Sequence, residues 1–82
     1  MAKIDPYKFP RALIAWCREK NTTQYQIAKK IGIPGENLYV YTRRKEVPNI
    51  PSLARAAEIA DALGITIDQL AQGPNGEGLR DE

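Results

Sequence analysis

The stretch TQYQIAKKIGIPGENLYVYTRRK, residues 23–45, decides the fold because it contains the signals for two short helices with one break. Thr23 can cap the first of them, and Gln26 stands at the spacing that completes a capping box. Gly32 tolerates the positive φ that a tight turn between helices requires. Pro34 then suits the first turn of a second helix. We therefore expect two helices joined by one tight turn, ending in a basic run.

A helix should precede this pair. Phe9, Leu13 and Trp16 recur at spacings of four and three, which places them on one face of a helix that begins after Pro6 or Pro10. Trp16 is the largest apolar side chain of this face, and we expect it to anchor the core.

Two further helices should follow the basic run. Pro51 is predicted to open a fourth helix and Gly64 to end it, while Thr66 begins a short fifth helix through a second capping box. The stripe of the fourth helix is predicted to contain Leu53, Ala56, Ala60 and Leu63. No segment has the alternation of a strand, so the fold class is all-α.

Composition limits the function. The chain has 82 residues, which suffices for one domain, with a single Cys and no His. These counts exclude an intramolecular disulfide and leave no common metal ligand or general base, and no nucleophile has a base partner, so we expect no enzyme, cofactor or metal site. Cys17 receives no function. Without a long apolar run or a secretory signal, the protein should be soluble and cytoplasmic.

Charge is distributed unevenly along the chain. Up to residue 45 there are ten Lys or Arg and three acids, a net +7, whereas the remainder has two Arg and seven acids, a net −5. A basic half beside an acidic half is typical of a protein that turns one face to a polyanion, although a solvated surface with unevenly scattered charge is the alternative. The last segment, GPNGEGLRDE, is nearly devoid of apolar residues and is predicted to be a disordered tail.

With the helices placed, the chain resembles the phage-repressor and Cro type of helix-turn-helix domain, the XRE family. The resemblance covers about residues 9–70 and is carried by TQYQIAKKIG and by PSLARAAEIADALGITIDQL. It implies a compact five-helix, lambda-repressor-like DNA-binding domain at residues 6–72, in which helices 2 and 3 form the helix-turn-helix. Residues 1–5 would be a flexible arm and residues 73–82 the disordered tail.

The resemblance also implies a function, namely sequence-specific binding of double-stranded DNA by a transcriptional regulator, a repressor, with helix 3 in the major groove. The residues expected to read bases or line the groove are Glu36, Asn37, Tyr39, Val40 and Arg43. Those expected to meet phosphates are Gln24, Lys29, Gly35, Arg43, Arg44 and Lys45, since cations there release condensed counterions. A homodimer on a two-fold symmetric operator is the family's usual arrangement, and helix 5 would supply the contact.

Three positions depart from the family's pattern. Gly35 carries no side chain with which to read a base, although it permits close approach of the DNA backbone. Thr42 stands where many members have a Glu that ties helix 3 to helix 1, so helix 3 should be held mainly by packing. Thr22 replaces a usual apolar residue.

A second function remains open. The segment Tyr39, Val40 and Tyr41, with apolar groups on the outer face of helix 3, would also suit a protein partner, as in an antitoxin-like module or an adaptor of the same fold. Retention of a partner after nuclease treatment would favour that alternative.

Overall fold

The computed structural model describes residues 3–43 and 49–80, which contain five α-helices. They are α1 (Phe9–Glu19), α2 (Gln24–Ile31), α3 (Glu36–Tyr39), α4 (Leu53–Leu63) and α5 (Ile67–Gln72), and a 3₁₀ turn at Pro6–Lys8 precedes α1. The all-α, five-helix fold is thus confirmed. None of the helices in the described ranges combines the length and hydrophobicity needed to cross a bilayer.

A single apolar core joins the helices. α1 packs against α5, α2 against α3 and α4, and α4 against α5. Each of the five helices or its flank contributes buried side chains to one cluster, whose largest fully enclosed members are Leu13, Ile27, Leu38, Ile59 and Leu70. In a domain of this size such side chains supply most of the hydrophobic stabilisation, at about 1.5–3 kcal/mol each.

Trp16 anchors this core, as its spacing predicts. Its side chain is only 8% exposed, and its indole Nε1 donates a hydrogen bond to the carbonyl oxygen of Gln69 at 2.8 Å. The buried polar group is therefore satisfied. Because Gln69 lies in α5, this bond fixes α1 against α5.

Hydroxyl caps begin the second and fifth helices. Thr66 and Gln69 form both bonds of a capping box, at 2.9 and 3.1 Å. At α2, the Thr23 hydroxyl accepts the Gln26 amide at 3.2 Å, but the Gln26 side chain turns instead to the Thr22 hydroxyl, which donates to it at 2.8 Å. The capping box expected at α2 is thus only half formed, because the Gln26 side chain bonds Thr22 and not the Thr23 amide.

α3 is shorter than the sequence predicts. The expected helix ran from near Pro34 to about Arg43, whereas the α-helix covers Glu36–Tyr39. Beyond it the amides of Tyr41 and Thr42 bond carbonyl groups three residues back, at 3.1 and 3.0 Å, in 3₁₀ fashion. β-Branched and aromatic residues favour helix only weakly, and they fill this segment.

The beginning of α4 also differs from its prediction. Ser52, not Pro51, borders the helix, and its hydroxyl accepts the Arg55 amide at 3.2 Å. Leu53, which was expected in the buried stripe, is 74% exposed. As the first helical residue it lies beyond the end of the core, so the stripe begins one turn later with the half-buried Ala56.

The first and last described segments, residues 3–5 and 78–80, pair with each other, which differs from the expected flexible arm and disordered tail. The Asp5 amide donates to the Gly78 carbonyl oxygen at 2.8 Å, and the Arg80 amide donates to that of Lys3 at 2.7 Å. These bonds surround an antiparallel bridge between Ile4 and Leu79. Backbone pairing between distant segments leaves no mark in composition, so the sequence could not reveal it.

Candidate nucleic-acid interface

The amino end of α2 presents unpaired backbone amides. The Thr23 hydroxyl accepts the Gln26 amide, whereas the amides of Gln24 and Tyr25 have no hydrogen-bond partner within residues 3–43 and 49–80. The amino end of a helix carries a partial positive charge, roughly half an elementary charge. Together these groups form a surface suited to an anion such as a DNA phosphate.

A glycine turn sets where α3 starts. Gly32 has φ +86°, and its amide donates to the Ala28 carbonyl oxygen at 2.9 Å. The Ile33 amide bonds the same oxygen at 3.0 Å. A left-handed residue ends α2 abruptly and redirects the chain. Gly32 has open space around it, so its φ rather than crowding requires a glycine.

The outer face of α3 carries the side chains that were expected to read bases. Glu36 and Asn37 are exposed, Tyr39 is 53% exposed and Val40 is partly exposed, while Leu38 between them is fully buried. The single turn of helix therefore places one residue in the core and directs its neighbours outwards. The chemistry of this face is mixed, with a carboxylate, an amide, a phenol and an isopropyl group.

Gly35 lies under an aromatic ring. A Cβ at this position would stand 3.3 Å from Cδ2 of Tyr25, which is tight contact. Tyr25 itself is 62% exposed, so it extends the surface next to the start of α3. Tyr25 is not among the residues expected to contact DNA; its position directly after Gln24, at the open end of α2, was the available signal.

A side-chain hydrogen bond connects α2 to the segment that follows α3. The Thr42 hydroxyl donates to the side-chain oxygen of Gln24 at 3.0 Å, across a part-buried gap. The expectation that helix 3 is held mainly by packing is therefore incomplete, because Thr42 provides a polar tie to α2. The contact joins residues 18 positions apart, a distance at which sequence spacing gives no signal.

The expected phosphate ligands are not all brought together. Gln24 stands at the open end of α2 and Arg43 is exposed just after the Thr42 tie. Lys29 is also exposed, but five residues after Gln24 it lies about 140° around the helix. It borders a shallow recess with Lys20 and Lys30 instead. Arg44 and Lys45 lie outside the described residues.

The described ranges offer little for thiol or metal chemistry. Burial raises the pKa of the Cys17 thiol above its ordinary value, so the group is protonated and unreactive at neutral pH. No group of three potential metal ligands occurs among residues 3–43 and 49–80.

Comparison with known proteins identified one family. A family model described as helix-turn-helix matches residues 13–70, from the middle of α1 through α5. No curated protein and no solved structure gave a significant match. The matched span contains α2, the Gly32 turn, α3 and the Thr42 tie.

Proposed function

The chain belongs to the helix-turn-helix family, a DNA-binding family of the XRE type, and from this premise we propose that it is a transcriptional repressor that reads double-stranded DNA with α3. The observation that carries the proposal is the outer face of α3 beside the open amino end of α2. In such domains the second helix of the pair enters the major groove.

We assign base reading to the outer face of α3 and to Val40 and Arg43, which follow α3 in the chain. The Glu36 carboxylate accepts a hydrogen bond from a cytosine amino group, and the Asn37 amide pairs with adenine. Val40 offers apolar contact to a thymine methyl group. Tyr39 and Arg43 line the groove beside them. A site read in this way would contain few guanine contacts from α3 itself.

Phosphate contacts fix the domain on the duplex. Gln24 and the free amides of α2 meet one phosphate, and Gly35 allows the backbone to approach α3. The remaining expected ligands are Lys29, Arg43, Arg44 and Lys45. Their charge belongs to the +7 half of the chain, so binding should fall steeply as salt rises.

Selection of bound sequences from a random duplex pool tests the proposal. Mobility shifts should then compare Arg44→Ala/Lys45→Ala with the control Lys3→Ala/Arg80→Ala, which removes the same charge from the paired chain ends. The first variant should lose roughly tenfold or more in affinity for every duplex, with a salt slope smaller by about two, and the control should lose less. Absence of any retarded duplex at low salt would contradict DNA binding.

We further propose that the repressor is a homodimer on a two-fold symmetric operator, which would set two α3 helices about 34 Å apart. Within α5, Leu70 is buried. Exposed Ile50 lines an apolar recess of about 200 Å³ that Ile67 and Ala71 of α5 also line, and we place the contact there. Sedimentation should show dimers for the wild type and monomers for Ile50→Arg; monomers alone, with and without DNA, would contradict it.

A protein-interaction module, antitoxin-like or an adaptor, is the second candidate. It is favoured by the 53% exposure of Tyr39 beside the apolar Val40. A pull-down with and without nuclease separates the two functions. A partner that stays bound after nuclease treatment and is lost in Tyr39→Ala supports the module, whereas loss of all bound protein with the nucleic acid supports the repressor.

A further inference from the structure

We propose that Thr42 is a positioning residue: its hydroxyl fixes the side-chain amide of Gln24 so that both amide hydrogens of Gln24 face a DNA phosphate. The inference rests on the proposed DNA binding and names the residue that prepares one of its contacts. Thr42 itself touches no DNA in this arrangement and acts through Gln24.

The direction of the hydrogen bond follows from a count of protons and lone pairs. The Thr42 hydroxyl has one proton and lies near two acceptors, the Gln24 side-chain oxygen at 3.0 Å and the Tyr39 carbonyl oxygen at 3.3 Å. That carbonyl already accepts the amides of Thr42 and Arg43, both at 3.0 Å. A carbonyl oxygen has two lone pairs. The hydroxyl proton therefore goes to Gln24, whose oxygen has room for it.

Fixing the oxygen determines where the nitrogen points. With its oxygen held by Thr42, the Gln24 amide keeps both hydrogens of Nε2 without a protein acceptor within residues 3–43 and 49–80. They join the unpaired backbone amides of Gln24 and Tyr25 at the positive end of α2. The reverse orientation would turn the carbonyl oxygen towards the phosphate, and two acceptors would repel. By holding the Gln24 oxygen, Thr42 leaves only hydrogen-bond donors, the Gln24 side-chain nitrogen and the two backbone amides, to face a phosphate at this end of α2.

Holding Gln24 in place also reduces the cost of binding. A free glutamine side chain loses rotamer freedom when it binds, which weakens binding. Gln24 is half-buried and its amide is already tied to the segment after α3. Since that segment leads directly to Arg43, the same bond links two expected phosphate ligands.

The test uses the full chain and two substitutions of Thr42. Thr42→Val keeps the shape and removes the hydroxyl, whereas Thr42→Ser keeps the hydroxyl. Binding is measured by fluorescence anisotropy with a fluorescein-labelled duplex of random sequence, because a phosphate contact does not depend on sequence. Thr42→Val should bind about threefold to tenfold more weakly, with an unchanged salt slope because the Gln24 amide carries no charge, and Thr42→Ser should bind within about twofold of wild type.

A double-mutant cycle separates positioning from a structural role. In a Gln24→Ala background, Thr42→Val should cause no further loss of binding, because its effect passes through Gln24. Binding by Thr42→Val equal to that of wild type, or an equal loss in both backgrounds, would overturn the inference. If the wild type binds no duplex, the proposed function fails instead.

A second measurement needs no DNA. The heteronuclear NOE of the Gln24 side-chain amide should be high in wild type and Thr42→Ser and low in Thr42→Val. The exposed side chain of Gln72, for which the described ranges offer no hydrogen-bond partner, provides the mobile reference. A Gln24 amide as mobile as that of Gln72 in the wild type would overturn the positioning role regardless of DNA binding.

Discussion

α2 has local sequence signals at both of its ends, whereas α3 has none at either end. Thr23 caps the eight residues of α2 and left-handed Gly32 ends them. α3 has four residues, follows Gly35 without a side-chain cap, and passes into 3₁₀ turns. An isolated turn of this length would not form in water. Local sequence thus determines α2, and contacts with the rest of the domain determine α3.

Three contacts hold α3 in position. Leu38 is fully buried in the core, and the ring of Tyr41 meets Phe9 edge-to-face with centroids 6.3 Å apart. The third is the hydrogen bond from Thr42 to Gln24. The helix that is proposed to read DNA is therefore positioned by residues on its inner side, which leaves its outer side chains free to vary.

The largest expected effect removes the inner anchor of α3. Leu38→Ala should lower the free energy of unfolding by about 2–5 kcal/mol, because it leaves a cavity in the core. Urea denaturation measures this change. Leu53→Ala is the matched control, since the 74% exposed Leu53 should cost less than about 0.5 kcal/mol. Equal losses from the two substitutions would contradict the dependence of α3 on burial.

The next effect concerns the turn between the helices. Gly32→Ala should cost about 1–2 kcal/mol, because φ +86° is unfavourable for a residue with a Cβ. Gly32→Asn should cost less, since Asn adopts left-handed backbone more readily. Thermal unfolding of the three proteins gives the order. An Ala variant as stable as wild type would show that the turn after α2 can adopt another backbone conformation.

The smallest expected effect removes the cap of α2. Thr23→Ala should cost about 1 kcal/mol, and Thr23→Ser should restore most of the stability. Amide hydrogen exchange within α2 localises the change. Exchange in α3 should rise far less, because α3 is held by its own core contact. A parallel increase in both helices would show that the two form one cooperative unit.

Local signals in the sequence were sufficient for much of the fold. The caps at Thr23 and Thr66, the stop at Gly32 and the apolar spacing around Trp16 act within a few residues of each other, and all appear in the structure. The family match confirmed the type of domain. The outward positions of α3 came from the resemblance, and their contacts with bases stay predictions.

Features that depend on distant contacts were not predictable. The Thr42 tie joins positions 18 apart. The exposure of Leu53 follows from where the core ends, which a helical stripe does not indicate. Pairing of the chain ends involves backbone groups, which every residue carries and which therefore leave no sequence pattern.

The junction of the chain ends also has an architectural consequence. Lys3 and Arg80 are joined by a backbone hydrogen bond of 2.7 Å, and Gly78 sits so close to the Ala71 carbonyl oxygen that a Cβ would overlap it. Any domain fused near either position would leave from the same edge. A short linker between the two would close the backbone into a ring, so new ends could be opened in a surface loop without moving the helices. The order of the helices along the chain is thus separable from their arrangement in space.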